Sequence, residues 1–404
     1  MTARRVGPVV CLGCGCACDD IGVELTGDRI TAADRACALG RSWFGDGQLP
    51  ARILVKGSEA TLAIAVARAA ELLQGGPGLV YLVPGLGTEA QRAAIAVADA
   101  AGARLDSVTS ATGAPSIVAG QRRGRATATL GEIRRRADLI VYWGVDPAER
   151  YPRYRERYTR AEAAIVAVDI GRMRGPPDAS ERIGVPAERE AAALGVMRAA
   201  VLGRKLPDLP SAVAAAAALA ERMMRGRYVS IVHDAEAEGE VDPQRAEGLI
   251  GLAHALNVPT RCALTTLRGG GNRSGADAAM TWQTGYPFAV DFSLGIPRYR
   301  PDEPAAGVAA AAASVLVAGD VTAVPSSIAS ALTGRLAIIG PRASEGAKAE
   351  VAIDTGMAGI HEGGTAYRLD DVPLPLTPLL SHPRTAVSVL EAVGRAFAQR
   401  AVSQ

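Results

Sequence analysis

Aromatic residues are scarce in this 404-residue chain, at 4% of the total, so the few that cluster stand out. Lysine is scarcer still: only Lys56, Lys205 and Lys348 occur, and arginine carries nearly all the positive charge. With abundant alanine, that bias fits a GC-rich coding sequence. Charge of one sign is not in excess. The net charge of +2 offers nothing to nucleic acid or to an anionic membrane. Long hydrophobic runs are missing. Met1 to Pro8 has no apolar stretch behind it, so neither a secretory signal nor a twin-arginine signal is expected. The longest apolar segment, Ala305 to Gly319, is mostly alanine and too short for a membrane span. It reads as a helix running into a strand, and the chain is expected to be cytoplasmic. The four histidines show no metal-site spacing, and no HExxH or GxSxG occurs. No GxGxxG is followed by the acidic residue a nicotinamide dinucleotide needs, and no repeat of fixed period appears.

What the chain does have is a concentration of thiols. Cys11, Cys14 and Cys18 are separated by two and then three residues, and Cys37 follows after eighteen more. Thiolates are the usual ligands of iron–sulfur clusters, and this spacing lets one loop wrap a [4Fe-4S] core while a later turn closes the shell. Zinc knuckles favour two CxxC pairs, and the second pair is lacking. Cys16, inside the loop, reads as a bystander. Cys262 reads as a small buried hydrophobe. Disulfides are not expected in a cytosolic protein.

At this length two or three domains are expected, and 49% hydrophobic with 21% charged residues describes a soluble globular protein. Residues 1–55 read as a small β-rich cysteine module, with a hairpin turn at Gly27-Asp28. Beyond it, continuous apolar strands alternate with helical patterns: 79–83, 139–144, 164–168, 228–232, 315–318 and 336–340. Such strands indicate parallel sheets covered on both faces. The expected fold is therefore α/β, with Rossmann-like doubly wound sheets in two lobes. Residues 56–135 and 341–404 form the first lobe and 136–340 the second. Gly269-Gly270-Gly271 reads as a tight turn, or as a close approach to a ligand or partner. His233, after a strand, reads as a surface-loop residue, with a strand-end site as the alternative. His254 reads as packed or partly exposed on a helix, and His382 as a loop residue. The acidic run Glu236, Glu238, Glu240 and Asp242 reads as a solvated loop, with contact to a basic partner as the alternative.

Several passages, taken together and in order, resemble the formylmethanofuran dehydrogenase B-subunit family of molybdopterin oxidoreductases. They are Val10 to Ile21, Ala36 to Gly40, Thr129 to Leu139, Tyr142 to Arg153, Trp282 to Ser293 and Glu362 to Arg368. Single motifs are weak, but they cover nearly the whole chain. The resemblance implies a tungsten or molybdenum bis-pterin centre beside a [4Fe-4S] cluster that reduces carbon dioxide to formate. It makes Cys11, Cys14, Cys18 and Cys37 the candidate cluster ligands. It also places His361 and Glu362 in a glycine-rich motif of structural character, with an old pterin contact as the alternative.

Two departures stand out. The family's metal-ligating cysteine and neighbouring histidine correspond to Thr112 and Gly113. A hydroxyl is neither soft nor readily deprotonated, and glycine relays no proton. After Asp169, a Pro-Arg-Lys-Thr-like run is replaced by Ile170-Gly171-Arg172-Met173, leaving Arg172 and Arg174 as possible phosphate contacts. The resemblance then points to a bacterial branch without a redox step. In it, a complex moves a formyl group from formyl-tetrahydromethanopterin to a methanofuran-type carrier and releases formate. The expected role is that of a non-catalytic scaffold, the B subunit, with an amidohydrolase-like A subunit, a C subunit and a formyltransferase D subunit as partners. No catalytic residue, molybdopterin, tungsten or molybdenum is expected. The [4Fe-4S] cluster stays open, since the ligands are retained while the redox partner is gone. The alternatives are an active dehydrogenase chain with an unusual metal ligand, and an iron–sulfur electron carrier without pterin.

Overall fold

The computed structural model describes residues 3–74, 76–172, 175–236, 244–332, 334–346 and 349–402. The chain divides into two compact units, Met1–Thr112 with Gly270–Gln404, and Gly113–Gly269.

In the first unit a nine-stranded sheet runs in the order Arg298–Tyr299, Val290–Asp291, Arg104–Ser107, Gly78–Leu82, Ser314–Ala318, Arg335–Gly340, Val351–Asp354, Ile53–Val55 and Ser58–Glu59. The central five strands are parallel, and antiparallel strands flank them on both sides. Gly78–Leu82 and Ser314–Ala318 are buried at every position, which explains why they read as continuous apolar runs without alternation. Helix Leu62–Leu73 starts where Thr61 Oγ1 accepts from Ile64 N. The cysteine loop joins the first two strands of a separate antiparallel sheet, Ala3–Val9, Ile21–Thr26 and Arg29–Asp34, with Gly27 and Asp28 at the turn.

The second unit is a five-stranded, all-parallel sheet in the order Glu181–Val185, Ala164–Ile170, Leu139–Trp143, Val229–Asp234, Cys262–Leu267. Its core joins Val141, Val166 and Ile231 to Leu194, Met223 and Leu252 of the covering helices. The family-like run from Thr129 starts helix Leu130–Arg136, where Thr129 Oγ1 accepts from Glu132 N, and Asp138 takes the N–H groups of Arg227 and Tyr228. These motif residues are structural.

The boundaries differ from the sequence expectation. The expected second lobe, 136–340, overruns the compact unit. Strands Ser314–Ala318 and Arg335–Gly340 line up beside Gly78–Leu82 in the larger sheet, because parallel pairing joins segments far apart in the chain. Ile53–Val55, placed at the end of the cysteine module, pairs instead with Val351–Asp354. No helix among the described residues is long and apolar enough to cross a membrane.

Candidate functional site

The cysteine loop is built by backbone closure. Cys11 N donates to Cys18 O at 2.8 Å and Ala17 N to Cys14 O at 3.1 Å, with Ala17 held at φ 39°. Gly13 must be glycine: a Cβ there would stand 2.7 Å from Leu39 O. That close approach lays the loop against helix Ala38–Phe44, whose N-cap is Cys37. The Cβ position of Gly40 lies 3.2 Å from Cys11 Sγ and 3.9 Å from Cys37 Sγ, so the first and fourth thiols meet beside the same residue. Cys14, Cys18 and Cys37 all act electrostatically on Cys11. Burial drives the Cys11 thiol far above its ordinary pKa, opposed by the Gly13 N–H, which donates to Cys11 Sγ at 3.4 Å. The Cys14 thiol is lowered, first by a hydrogen bond from the Cys16 side chain and, against burial, by the Cys16 N–H.

Val10, Leu12 and Ala17 pack with Ala358, Ala366, Leu374 and Leu376 beneath the loop. Gly271 N donates to Leu12 O at 2.7 Å and Leu369 N to Gly15 O at 2.9 Å. The glycine cluster flagged in the sequence is thus a close approach, but to the chain's own cysteine loop. Among the described residues no three His, Cys, Asp or Glu side chains are placed to share one metal ion. A tetrahedral zinc site needs its thiolates only about 3.8 Å apart. The donor chemistry of the thiols, with the Gly13 N–H aimed at the Cys11 sulfur, suits the larger iron–sulfur core.

Thr112 closes the short helix Val108–Thr112, and its Oγ1 donates back to Val108 O at 2.8 Å. The hydroxyl is neutral and already engaged, so it does not fit a tungsten or molybdenum centre. Nearby, a polar cluster went unread in the sequence. Burial pushes Asp106 up to about 6, opposed by the Ser107 N–H, the Ser110 hydroxyl and the Ala289 N–H. Asn272, at φ 65°, donates to Leu86 O and Thr88 Oγ1 and accepts from Tyr367 N at 2.8 Å. The void at the ends of strands Gly78–Leu82 and Arg104–Ser107, lined by Val83, Ser107 and Arg273 among others, has a volume of about 10 Å³. That is room for one water.

In the second unit, strand order reverses between Leu139–Trp143 and Val229–Asp234, where open α/β sheets place their ligands. Here the chain fills the carboxyl ends itself. Glu190 accepts from Trp143 Nε1 at 2.7 Å and binds Arg245 through both oxygens. Arg150 pairs with Asp234 at 2.8 Å, and Tyr151 OH donates to the same carboxylate at 3.2 Å. Two expectations need correction. His233 is not in a surface loop: it is the fifth residue of its strand, buried, with Nε2 3.1 Å from Thr266 Oγ1, and burial lowers it to about 3. Glu236 is not solvated but buried beside Arg150 and Arg268, while Glu238, Glu240 and Asp242 lie outside the described residues. Asp169, at the end of its strand, is taken by Arg182 at 2.9 Å and by Gly175 N at 2.8 Å. Arg172 is exposed, and Met173 and Arg174 lie outside the described residues. His254 is exposed.

The Glu362 motif is buried. Glu362 Oε1 accepts from Ala386 N at 2.7 Å, at the start of helix Ala386–Val402, and burial pushes its carboxyl up to about 7. Neighbouring His361 donates Nε2–H to Gly47 O at 2.9 Å, and His382 donates Nε2–H to Pro50 O at 3.0 Å. A raised carboxyl makes the folded state hold a proton that the unfolded chain releases. Stability therefore falls as pH rises from about 4.5 through 7, by roughly 3 kcal/mol in total. His361, lowered to about 4 by burial, contributes the opposite slope from 4 to 6.5. Glu362→Gln keeps the acceptor and removes the titration. The variant should gain on the wild type between pH 5 and 8 in denaturant unfolding, with the His361 slope common to both. A pH-independent difference would refute the assignment.

No family model matches the chain. It is 31% identical to the B subunit of the formyltransferase/hydrolase complex Fhc of Methylorubrum extorquens, over 78% of this chain and 87% of that one. It is 28% identical to the B subunit of the tungsten-containing formylmethanofuran dehydrogenase 2 of Methanocaldococcus jannaschii, over 94% of this chain and 95% of that one. Among solved structures it is similar to a chain in the crystal structure of the formyltransferase/hydrolase complex (FhcABCD) from Methylorubrum extorquens in complex with methylofuran. The TM-score is 0.74 at 26% identity, covering 87% of this chain and 99% of that one. The chain belongs to the formylmethanofuran dehydrogenase B-subunit family, in which the B subunit of the bacterial Fhc complex is a relative. The α/β fold class expected from the sequence holds as well.

Proposed function

We propose that this chain is the non-redox scaffold, the B subunit, of a formyltransferase/hydrolase complex. The complex would move a formyl group from tetrahydromethanopterin to a methanofuran-type carrier and release formate. Its A, C and D subunits would carry the hydrolase, a further partner and the transferase. The observation that carries this reading is Thr112. It stands where the family resemblance places the metal-ligating cysteine, and its hydroxyl is spent on Val108 O. The filled strand ends around Glu190 and Asp234 agree with it, as does the likeness to a chain of the FhcABCD complex over nearly that chain's full length. Cys11, Cys14, Cys18 and Cys37 supply the donors for a [4Fe-4S] cluster, which when bound would provide one-electron chemistry.

The second reading is an active tungsten or molybdenum dehydrogenase chain. The match to the tungsten-containing relative along 94% of this chain favours it. Purification of the tagged chain from its own cells decides between them. Co-purifying hydrolase and transferase subunits with no stoichiometric tungsten or molybdenum are expected. About one metal per chain would sink the scaffold reading.

A further inference from the structure

We propose, resting on the scaffold reading above, that the amino-terminal end of the second unit's sheet is a docking face for an acidic surface of one partner subunit. The register puts Leu139, Val229 and Cys262 side by side on three neighbouring strands, each at its strand's start. The segments that lead into those strands are therefore gathered at one end of the sheet. Arg134, Arg135 and Arg136 close helix Leu130–Arg136, just before the first strand. Arg225 closes helix Ser211–Arg225, and Arg227 follows it, just before the second. Arg261 immediately precedes the third. The three segments are tied together. Asp138 accepts from Arg227 N and Tyr228 N, both at 3.0 Å, Val229 N donates to Arg261 O at 2.7 Å, and Thr260 Oγ1 donates to Gly226 O.

All six arginines are exposed. Two carboxylates stand among them, and both are engaged: Glu132 by Arg136 at 3.1 Å, and Asp138 by Arg227 Nε at 3.4 Å. Glu221 lies one turn back along its helix from Arg225. Arg134, Arg135, Arg225 and Arg261 have no acidic partner among the described residues. The whole chain carries only +2, so this end of the sheet concentrates its positive charge. A helix C-terminus favours a cation, which accounts for one arginine at each helix end. It does not account for three in succession, or for Arg227 and Arg261, which lie outside helices. Guanidinium forks bind carboxylates two bonds at a time, so an acidic surface is the complement. Val258, 84% exposed, stands in the same corner, two residues before Thr260. An apolar residue beside a positive rim suits a protein surface. Single-stranded nucleic acid asks for exposed aromatic platforms, whereas Tyr228 here is buried, with the Arg136 guanidinium 5.5 Å from its ring centroid.

The test replaces the chain in its own cells with a tagged copy, purifies it with its partners and washes at rising salt. Arg134→Glu with Arg135→Glu, and separately Arg261→Glu, should release one subunit of the complex at lower salt than the wild type does. Like charges set against each other across an interface are costly, so retention of that subunit at roughly 0.15 M salt should fall about tenfold or more. Arg92→Glu with Arg198→Glu, an equal change of charge at exposed positions elsewhere, should keep every subunit. Unchanged retention in the Arg134 and Arg261 variants overturns the inference and leaves the scaffold reading standing. Should those variants fail to fold, phenylglyoxal modification of the wild type gives the answer by mass spectrometry. Arg134, Arg135 and Arg261 should be protected in the complex and reactive in the salt-stripped chain. Equal reactivity in both overturns the inference. Nucleic acid that is lost on charge reversal while every subunit stays also overturns it, by making the face a nucleic-acid site. A wild type that brings down no hydrolase or transferase subunit refutes the scaffold reading itself, and the docking face falls with it.

Discussion

Gly270→Ala should open the cysteine loop and destabilise the first unit by roughly 3 kcal/mol or more, at the upper end of overpacking effects. The added methyl would stand 2.3 Å from Leu12 O and 2.7 Å from the Cys14 backbone. Those are main-chain atoms, so no rotamer change relieves the clash. Leu12 O also accepts from Gly271 N, so a displaced loop loses that bond as well. The measurement is denaturant unfolding together with thiol labelling. Cys11, Cys16 and Cys18 are buried and should become reactive in the variant. Gly131→Ala is the control. A Cβ there meets nothing within 4 Å, and the residue sits inside a helix, so alanine should be neutral or stabilising by up to about 1 kcal/mol. Equal unfolding midpoints and protected thiols in Gly270→Ala would show that the glycine turn does not hold the loop.

Glu190→Ala should cost the second unit about 3–5 kcal/mol, the usual effect of removing one partner from a buried ion pair. Glu190 and Arg245 are both almost entirely inaccessible, at 1% and 3%. Alanine removes the carboxylate to which the Arg245 guanidinium and the Trp143 N–H donate inside the core. The physical cause is desolvation rather than lost attraction, and a double variant separates the two. Glu190→Met with Arg245→Met replaces both charges by apolar groups, and should recover much of the loss. Chemical unfolding of the full chain reads both. A double variant no better than Glu190→Ala would mean that the ion pair itself, not the stranded charge, supplies the stability.

The sequence by itself determined the fold class and most of its strands. Runs such as Leu139–Trp143 and Gly78–Leu82 are buried on both faces, and only a covered parallel sheet asks for such continuity. It also determined the thiol set, because two- and three-residue spacings confine Cys11, Cys14 and Cys18 to one turn of chain. That a hydroxyl at Thr112 makes a poor metal ligand was equally legible, since its chemistry needs no coordinates. Tertiary structure alone decided the rest. Parallel pairing is long-range, so nothing local placed Arg335–Gly340 in the first unit. The reach of Gly270 to the Cys14 backbone spans more than 250 residues of sequence, and its glycine signature reads the same for any tight turn. His233 and Glu236 looked like loop residues because polar side chains usually are. Partners that satisfy them, Thr266 for the histidine and Arg150 and Arg268 for the glutamate, exist only once the sheet is assembled. Burial then fixes what each of them can do. A hydrogen-bonded imidazole away from water stays neutral, and a carboxylate between two guanidinium groups is held inside the fold.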